Sequence, residues 1–160
     1  MTSPTAPRLS AARSPFTTVK RLMPADGGLA GLVAAVAAER SRRIEVVAVE
    51  LGSRSAAGLR VVGSDVDYLV HATSATAEQR DLSICRELAH LLLGHQPGRV
   101  LSEPLAVGQT RSLRAHPYGQ RQEARAERLA QRMLALSAAR QHSSGPAGTP
   151  RFWLVRSTRA

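Results

Sequence analysis

Lysine is nearly missing from this sequence. Of its 22 basic residues 21 are Arg and one is Lys20, against 12 acidic residues, for a formal net charge of +10. So lopsided a usage reads as codon bias in a GC-rich genome rather than as a designed surface. Aromatic residues are also scarce, at 3%. The core must therefore be built from Leu, Val and Ala, and no row of rings interleaves with the arginines to form a stacking platform for single-stranded nucleic acid. Excess positive charge attracts nucleic acid in general, but the arginines are scattered along the chain, so direct nucleic-acid binding is not the favoured expectation. Cysteine occurs once, as Cys85, which excludes an intramolecular disulfide and a multi-Cys zinc site. A reducing, cytoplasmic setting is expected. No run of 18 apolar residues is present, so no membrane helix is expected. Residues 1–25 lack the apolar stretch of a secretory signal.

What is there is enough for one domain: 160 residues, 43% of them hydrophobic. Ser, Thr and Pro dominate the opening stretch, and residues 1–25 read as a flexible basic tail. Leu29, Leu32, Val33 and Val36 recur at helical spacing, predicting a helix over about residues 28–42 with Asp26 or Gly27 as its cap. Residues 44–51 are β-branched and alternate, the pattern of a strand. Residues 58–62 and 67–70 are two short strands joined by a hairpin-like turn at Gly63-Ser64-Asp65. Thr76 and Gln79 make a capping box, opening a helix that runs to Gly94 with Leu82, Cys85, Leu88, Ala89 and Leu92 as its apolar stripe. Pro97, Gly98, Pro104 and Pro117 break residues 95–118 into a long loop. A last helix is expected over about residues 119–140, with Ala126, Leu129, Ala130, Met133 and Leu134 inward. Residues 26–140 are thus the domain. Residues 141–160 form a Gly/Pro linker ending in Phe152-Trp153-Leu154-Val155, which packs back on the domain or docks a partner.

The chemistry concentrates in Arg86-Glu87-Leu88-Ala89-His90-Leu91-Leu92-Leu93-Gly94-His95. In an H-E-x-x-H zinc peptidase, two His four residues apart share one helix face and bind the metal, while the Glu polarises a metal-bound water. Glu87 and His90 hold the second and fifth places here, and Arg86 holds the first. A third ligand would come from another helix, and Glu123 fits that role. The plain alternative makes Glu87 and His90 ordinary polar residues of a half-buried helix. Cys85 has no base beside it and reads as a small buried hydrophobe. Glu127 could equally pair at the surface with Arg125, Arg128 or Arg132.

Taken together, RELAHLLLGH and the Glu123–Ala130 segment resemble the ImmA/IrrE metallopeptidase-like family, across about residues 28–138. The resemblance implies an α+β fold: a small antiparallel sheet packed with a central HExxH-type helix and a second ligand-bearing helix, a minimal thermolysin-like zincin core. It implies Glu87 as general base, His90 and Glu123 as zinc ligands and Glu127 as a supporting carboxylate. Arg86 stands where the family has its first metal His. A guanidinium stays protonated and offers no lone pair. Either Arg86 replaces the metal, forking onto Glu123 or Glu87 and tying the helices together, or His95 or His116 rescues the site. The favoured expectation is a degenerate peptidase without zinc that binds a regulatory protein partner, such as a helix-turn-helix repressor or a toxin–antitoxin-like component. The alternatives are an active zinc endopeptidase that cleaves a repressor, and a basic nucleic-acid-binding module without catalysis.

Overall fold

A computed structural model describes residues 14–51, 58–96 and 118–144. These form helices α1 (Pro15–Leu22) and α2 (Leu29–Glu39), strands β1 (Arg43–Val49), β2 (Gly58–Val62) and β3 (Val66–Ala72), and helices α3 (Ala77–Leu92) and α4 (Gln120–Ser143). The architecture is mixed α and β. His116, residues 97–117 of the loop expected over 95–118, and the Phe152–Val155 segment lie outside the described residues.

The expected antiparallel sheet is corrected to a mixed one. Its strand order is β1-β3-β2. β2 and β3 form the anticipated hairpin, closed by the Gly63 amide donating to the Val66 carbonyl at 2.7 Å. β1 pairs with β3 in parallel, from Arg43 opposite Val66 to Val49 opposite Ala72. β3 takes the central place and is the strand most completely buried, Asp67 and His71 included, so both its edges and both its faces are covered. Arg42 secures the arrangement. Its Nε donates to Asp67 Oδ1 at 3.1 Å, and its Nη groups donate to the carbonyls of Ser64 (3.1 Å) and Gly63 (2.6 Å), binding the entry of β1 to the β2–β3 turn.

Of the expected flexible tail over residues 1–25, residues 1–13 lie outside the described residues, and Pro15–Leu22 is corrected to a helix. α1 opens with Pro at its first position, where a missing N–H costs nothing, and it buries Thr18 and Val19. Arg140 of α4 donates to carbonyls of Lys20 and Pro24, at 2.9 and 3.1 Å, and to that of Met23, answering groups that the end of α1 leaves unpaired. α4 itself continues to Ser143, past the expected boundary at residue 140. The α2 cap is Gly28, whose amide is taken up by Asp26 Oδ1 at 2.9 Å.

The helices bury one apolar cluster: Val19, Leu32, Val36, Leu69, Ile84, Leu88, Leu91, Ala126, Ala130 and Met133 are among its members. Leu82, counted in the α3 stripe, is instead 36% exposed. A second cluster, centred on Val61, Val66, Tyr68 and Val70, occupies the opposite sheet face. The Thr76–Gln79 capping box is present in both directions, which fixes where α3 begins.

Gly27 fits its place for two reasons. Its φ is +70°, and a Cβ there would lie 2.3 Å from the backbone oxygen of Ser137, whose hydroxyl donates to the Gly27 carbonyl at 2.6 Å. Gly27→Ala is therefore expected to destabilise the protein by about 2 kcal/mol or more, read as a lowered urea midpoint.

Candidate functional site

α3 and α4 lie side by side, and the site forms where Arg86, Glu87 and His90 of α3 face Glu123 near the start of α4. Residues 86 and 90 are one turn apart on α3, so they rise along the same side of the helix. The Arg86 guanidinium grips the Glu123 carboxylate with two parallel bonds, Nε to Oε2 at 3.1 Å and Nη2 to Oε1 at 3.2 Å. This fork-on-fork geometry is the strongest form of the Arg–carboxylate pair. Both side chains are half-buried, so water screens the pair only in part.

His90 is fully buried. Its ring stacks on Tyr118, with centroids 3.6 Å apart and planes 13° from parallel. Its Nδ1 is 2.9 Å from Nδ1 of His95, and its Nε2 is 3.5 Å from Glu123 Oε2. Burial holds the pKa of both imidazoles below the ordinary histidine value, with neighbouring Arg charges adding to the effect. Two neutral rings can share an Nδ1···Nδ1 bond only if one donates and the other accepts. The bond therefore needs one of the two imidazoles to carry its proton on Nδ1 and the other on Nε2.

His95 reaches this position because α3 ends in a Schellman turn. Gly94 adopts φ +70°, its amide bonds the Leu91 carbonyl at 3.2 Å, and the His95 amide bonds the His90 carbonyl at 3.0 Å. The chain folds back over its own last turn and lays His95 on His90. A continuous helix would have pointed residue 95 away from residue 90.

Glu87 is 2% exposed, and its carboxyl is pushed up to about 7 by burial, against the opposing influence of Arg86 and Arg60. It accepts from the backbone N–H of Arg60, but its Oε2 has no hydrogen-bond partner among the described residues. Arg60 itself is 9% exposed and donates from Nη2 to the His95 carbonyl at 3.1 Å, while its Nε and Nη1 are unpaired among the described residues. Burial also pushes the Tyr118 phenol up to about 12.

No family model, curated protein or solved structure matches this chain. The site must therefore be judged on its own chemistry. A metal here would need lone pairs from at least three side chains. Arg86 supplies none, and it takes up both oxygens of Glu123. As placed, Arg86 stands against the carboxylate that would have to ligate a zinc ion. No group of three or more His, Cys, Asp or Glu among the described residues is placed to hold one.

Of the residues singled out in the sequence, Arg86, Glu87, His90, His95 and Glu123 come together here. Glu127 does not; it accepts from Gln131 at 2.9 Å, one turn along α4. Cys85 is buried, its thiol pushed up to about 12 chiefly by that burial, so it is no nucleophile. Arg60 and Tyr118 are the additions. Arg60 sits between Leu59 and Val61, where alternation marks it as solvent-facing, yet its face of the sheet lies under α3. Tyr118 falls in a stretch that reads only as loop.

The two buried titrations oppose each other. Glu87 keeps its proton in the fold up to about pH 7, whereas in the unfolded chain it ionises near the ordinary value. Its contribution is present at low pH and is lost as pH rises toward 7. The lowered His90 pKa works the other way, costing stability as pH falls below the ordinary histidine range. Glu87→Gln removes only the first effect. The variant is expected to gain on the native protein by about 2–3 kcal/mol between pH 5 and pH 8, as read from paired urea titrations at both values. A difference that does not change with pH would contradict the assignment.

His95 depends on Gly94, beside which there is open space but whose backbone is left-handed. Gly94→Ala should cost about 1–2 kcal/mol, and the His95 ring resonances in an NMR spectrum should shift with the loss of the Nδ1···Nδ1 bond.

Proposed function

We propose that this chain is an ImmA/IrrE-like protein whose peptidase centre is degenerate, and that it acts by binding a regulatory protein without cutting it. In this reading α3, α4 and the three-stranded sheet form a minimal zincin-type core. The observation that carries the proposal is the two-bond grip of Arg86 on Glu123. A permanent organic cation takes the position between the helices that a dication would need, and it uses the carboxylate that would ligate it. The centre then needs no zinc to hold α3 against α4. Glu87, which would activate a metal-bound water in a working enzyme, has no such water to act on and is held close to neutrality. A cleft of this kind keeps its capacity to recognise a protein segment while losing bond cleavage. Helix-turn-helix repressors and toxin–antitoxin-like components are the partner class the family resemblance implies.

Two substitutions test this. Purified native protein, incubated with zinc and desalted, is expected to carry none by mass spectrometry. Arg86→His restores a His four residues before His90 on the same helix face and frees Glu123, so it should take up about one zinc per chain. Stoichiometric zinc on the native chain, lost in Glu123→Ala, would overturn the proposal in favour of an active endopeptidase. The partner half is tested by co-expressing this chain with a candidate helix-turn-helix regulator: co-elution of the two with the regulator intact is expected, and cleavage of the regulator by native protein would refute it.

A further inference from the structure

The arginines that look scattered along the chain are not scattered on α4. Arg121, Arg125, Arg128 and Arg132 succeed one another at steps of four, three and four residues, and all four are exposed. At 3.6 residues per turn they fall within about 60° of arc and run for about 16 Å along the helix. The acidic side chains of α4 lie off this row. Glu123 is held by Arg86 and Glu127 by Gln131. Arg132 lies over the ring of Phe16, 3.6 Å from its centroid. Arg121, Arg125 and Arg128 have no ion-pair partner among the described residues.

We infer that this row is a docking surface for the phosphate backbone of duplex nucleic acid. Three unpaired like charges within about two turns of helix repel one another, so the row gains most from a partner that places anions along a line. A guanidinium binds phosphate oxygens through two parallel bonds, and a duplex offers a continuous line of them. The residues between the arginines point the same way. Between Arg121 and Arg132 the other exposed residues of α4 are Ala124 and Gln131, and neither is an aromatic or large aliphatic anchor of the kind that dominates protein–protein interfaces. A surface of cations with no anchor matches backbone contacts, which position a protein on nucleic acid without reading its sequence. Glu123 and the apolar residues of α4 face other elements, whereas Arg125 is near enough to His95 for its charge to be felt there. None of these features depends on the peptidase likeness.

The test is fluorescence anisotropy with a labelled duplex of about 20 base pairs, from 50 to 200 mM salt, for native protein and for the triple variant Arg121→Gln/Arg125→Gln/Arg128→Gln. Four phosphate contacts predict a log–log salt slope of about −3.6 or steeper, a loss of about 150-fold or more in affinity over that range. The triple variant should be shallower by about 2.7 and bind at least tenfold more weakly at 50 mM salt. Circular dichroism checks that its helices are retained, and Arg43→Gln, remote on β1, is the folded control expected to keep the native slope. An unchanged slope in the triple variant would overturn the inference. So would native protein that ignores the duplex yet binds polyglutamate of matched charge, the outcome expected of an acidic protein partner.

Discussion

One ion pair ties α3 to α4 across the polar site. Arg86 and Glu123 are 37 residues apart in sequence and meet through two bonds at 3.1 and 3.2 Å. A charged hydrogen bond contributes about 1.5–3 kcal/mol, yet the loss of one partner alone weighs more. Without Arg86, the Glu123 carboxylate would stand against a buried imidazole that burial keeps neutral. A half-buried charge stripped of its partner costs more than the intact pair contributes. The pair is therefore less a source of stability than a condition on it. The His90 ring lies against the same carboxylate, its Nε2 3.5 Å from Glu123 Oε2, with His95 laid on its other nitrogen.

The polar cluster behind the pair is expensive, and the fold carries it on an apolar frame. Oε2 of Glu87, Nε2 of His90 and of His95, and two nitrogens of Arg60 are buried without hydrogen-bond partners among the described residues. Each such atom costs about 1–3 kcal/mol. The offset comes from Leu88, Leu91 and Ile84, all but fully buried on the same helix, and from Ala126, Leu129, Ala130 and Met133 on α4. Neutralisation lowers the cost further. A carboxyl pushed up to about 7 and two imidazoles held neutral carry less charge into the interior than their residue types suggest. Such an arrangement is hard to account for by packing alone, since Leu or Met at residues 60 and 87 would remove the penalty.

Much of this was legible in the residues because it rests on local rules. The Thr76–Gln79 box, the turn at Gly63-Ser64-Asp65 and the apolar stripe of α4 each arise from a spacing within one element. The features that could not be read depended on distant parts of the chain. α1 looks like tail because its Ser, Thr and Pro content is that of disorder, and its anchor, Arg140, lies more than a hundred residues away. The parallel pairing of β1 with β3 depends on which strand takes the centre, and no pattern inside β1 contains that. Leu82 sits at the edge of its helical stripe, where a small rotation of α3 decides between core and solvent. For the site, Arg86 and Glu123 were identifiable as candidates, whereas Arg60 was hidden by its own alternation: a strand with both faces covered buries the residue that the pattern assigns to water.

α4 shows how one helix can keep two electrostatic tasks apart. Its inward arc, carrying Ala126, Leu129, Ala130, Met133 and Ser137, and its arginine row are centred about 130° apart at 100° per residue. Glu123 belongs to the inward side, so its negative charge is taken up by Arg86 and does little to quench the row. Had the acid been placed one turn from Arg125 on the outer face, it would have paired with that arginine and the outer field would have weakened. The same ion pair that occupies the α3–α4 site thus leaves the outer arginines uncompensated. A zinc ion in place of Arg86 would also have bound Glu123, so the outer row does not depend on which cation holds the helices together; the chemistry of the site does.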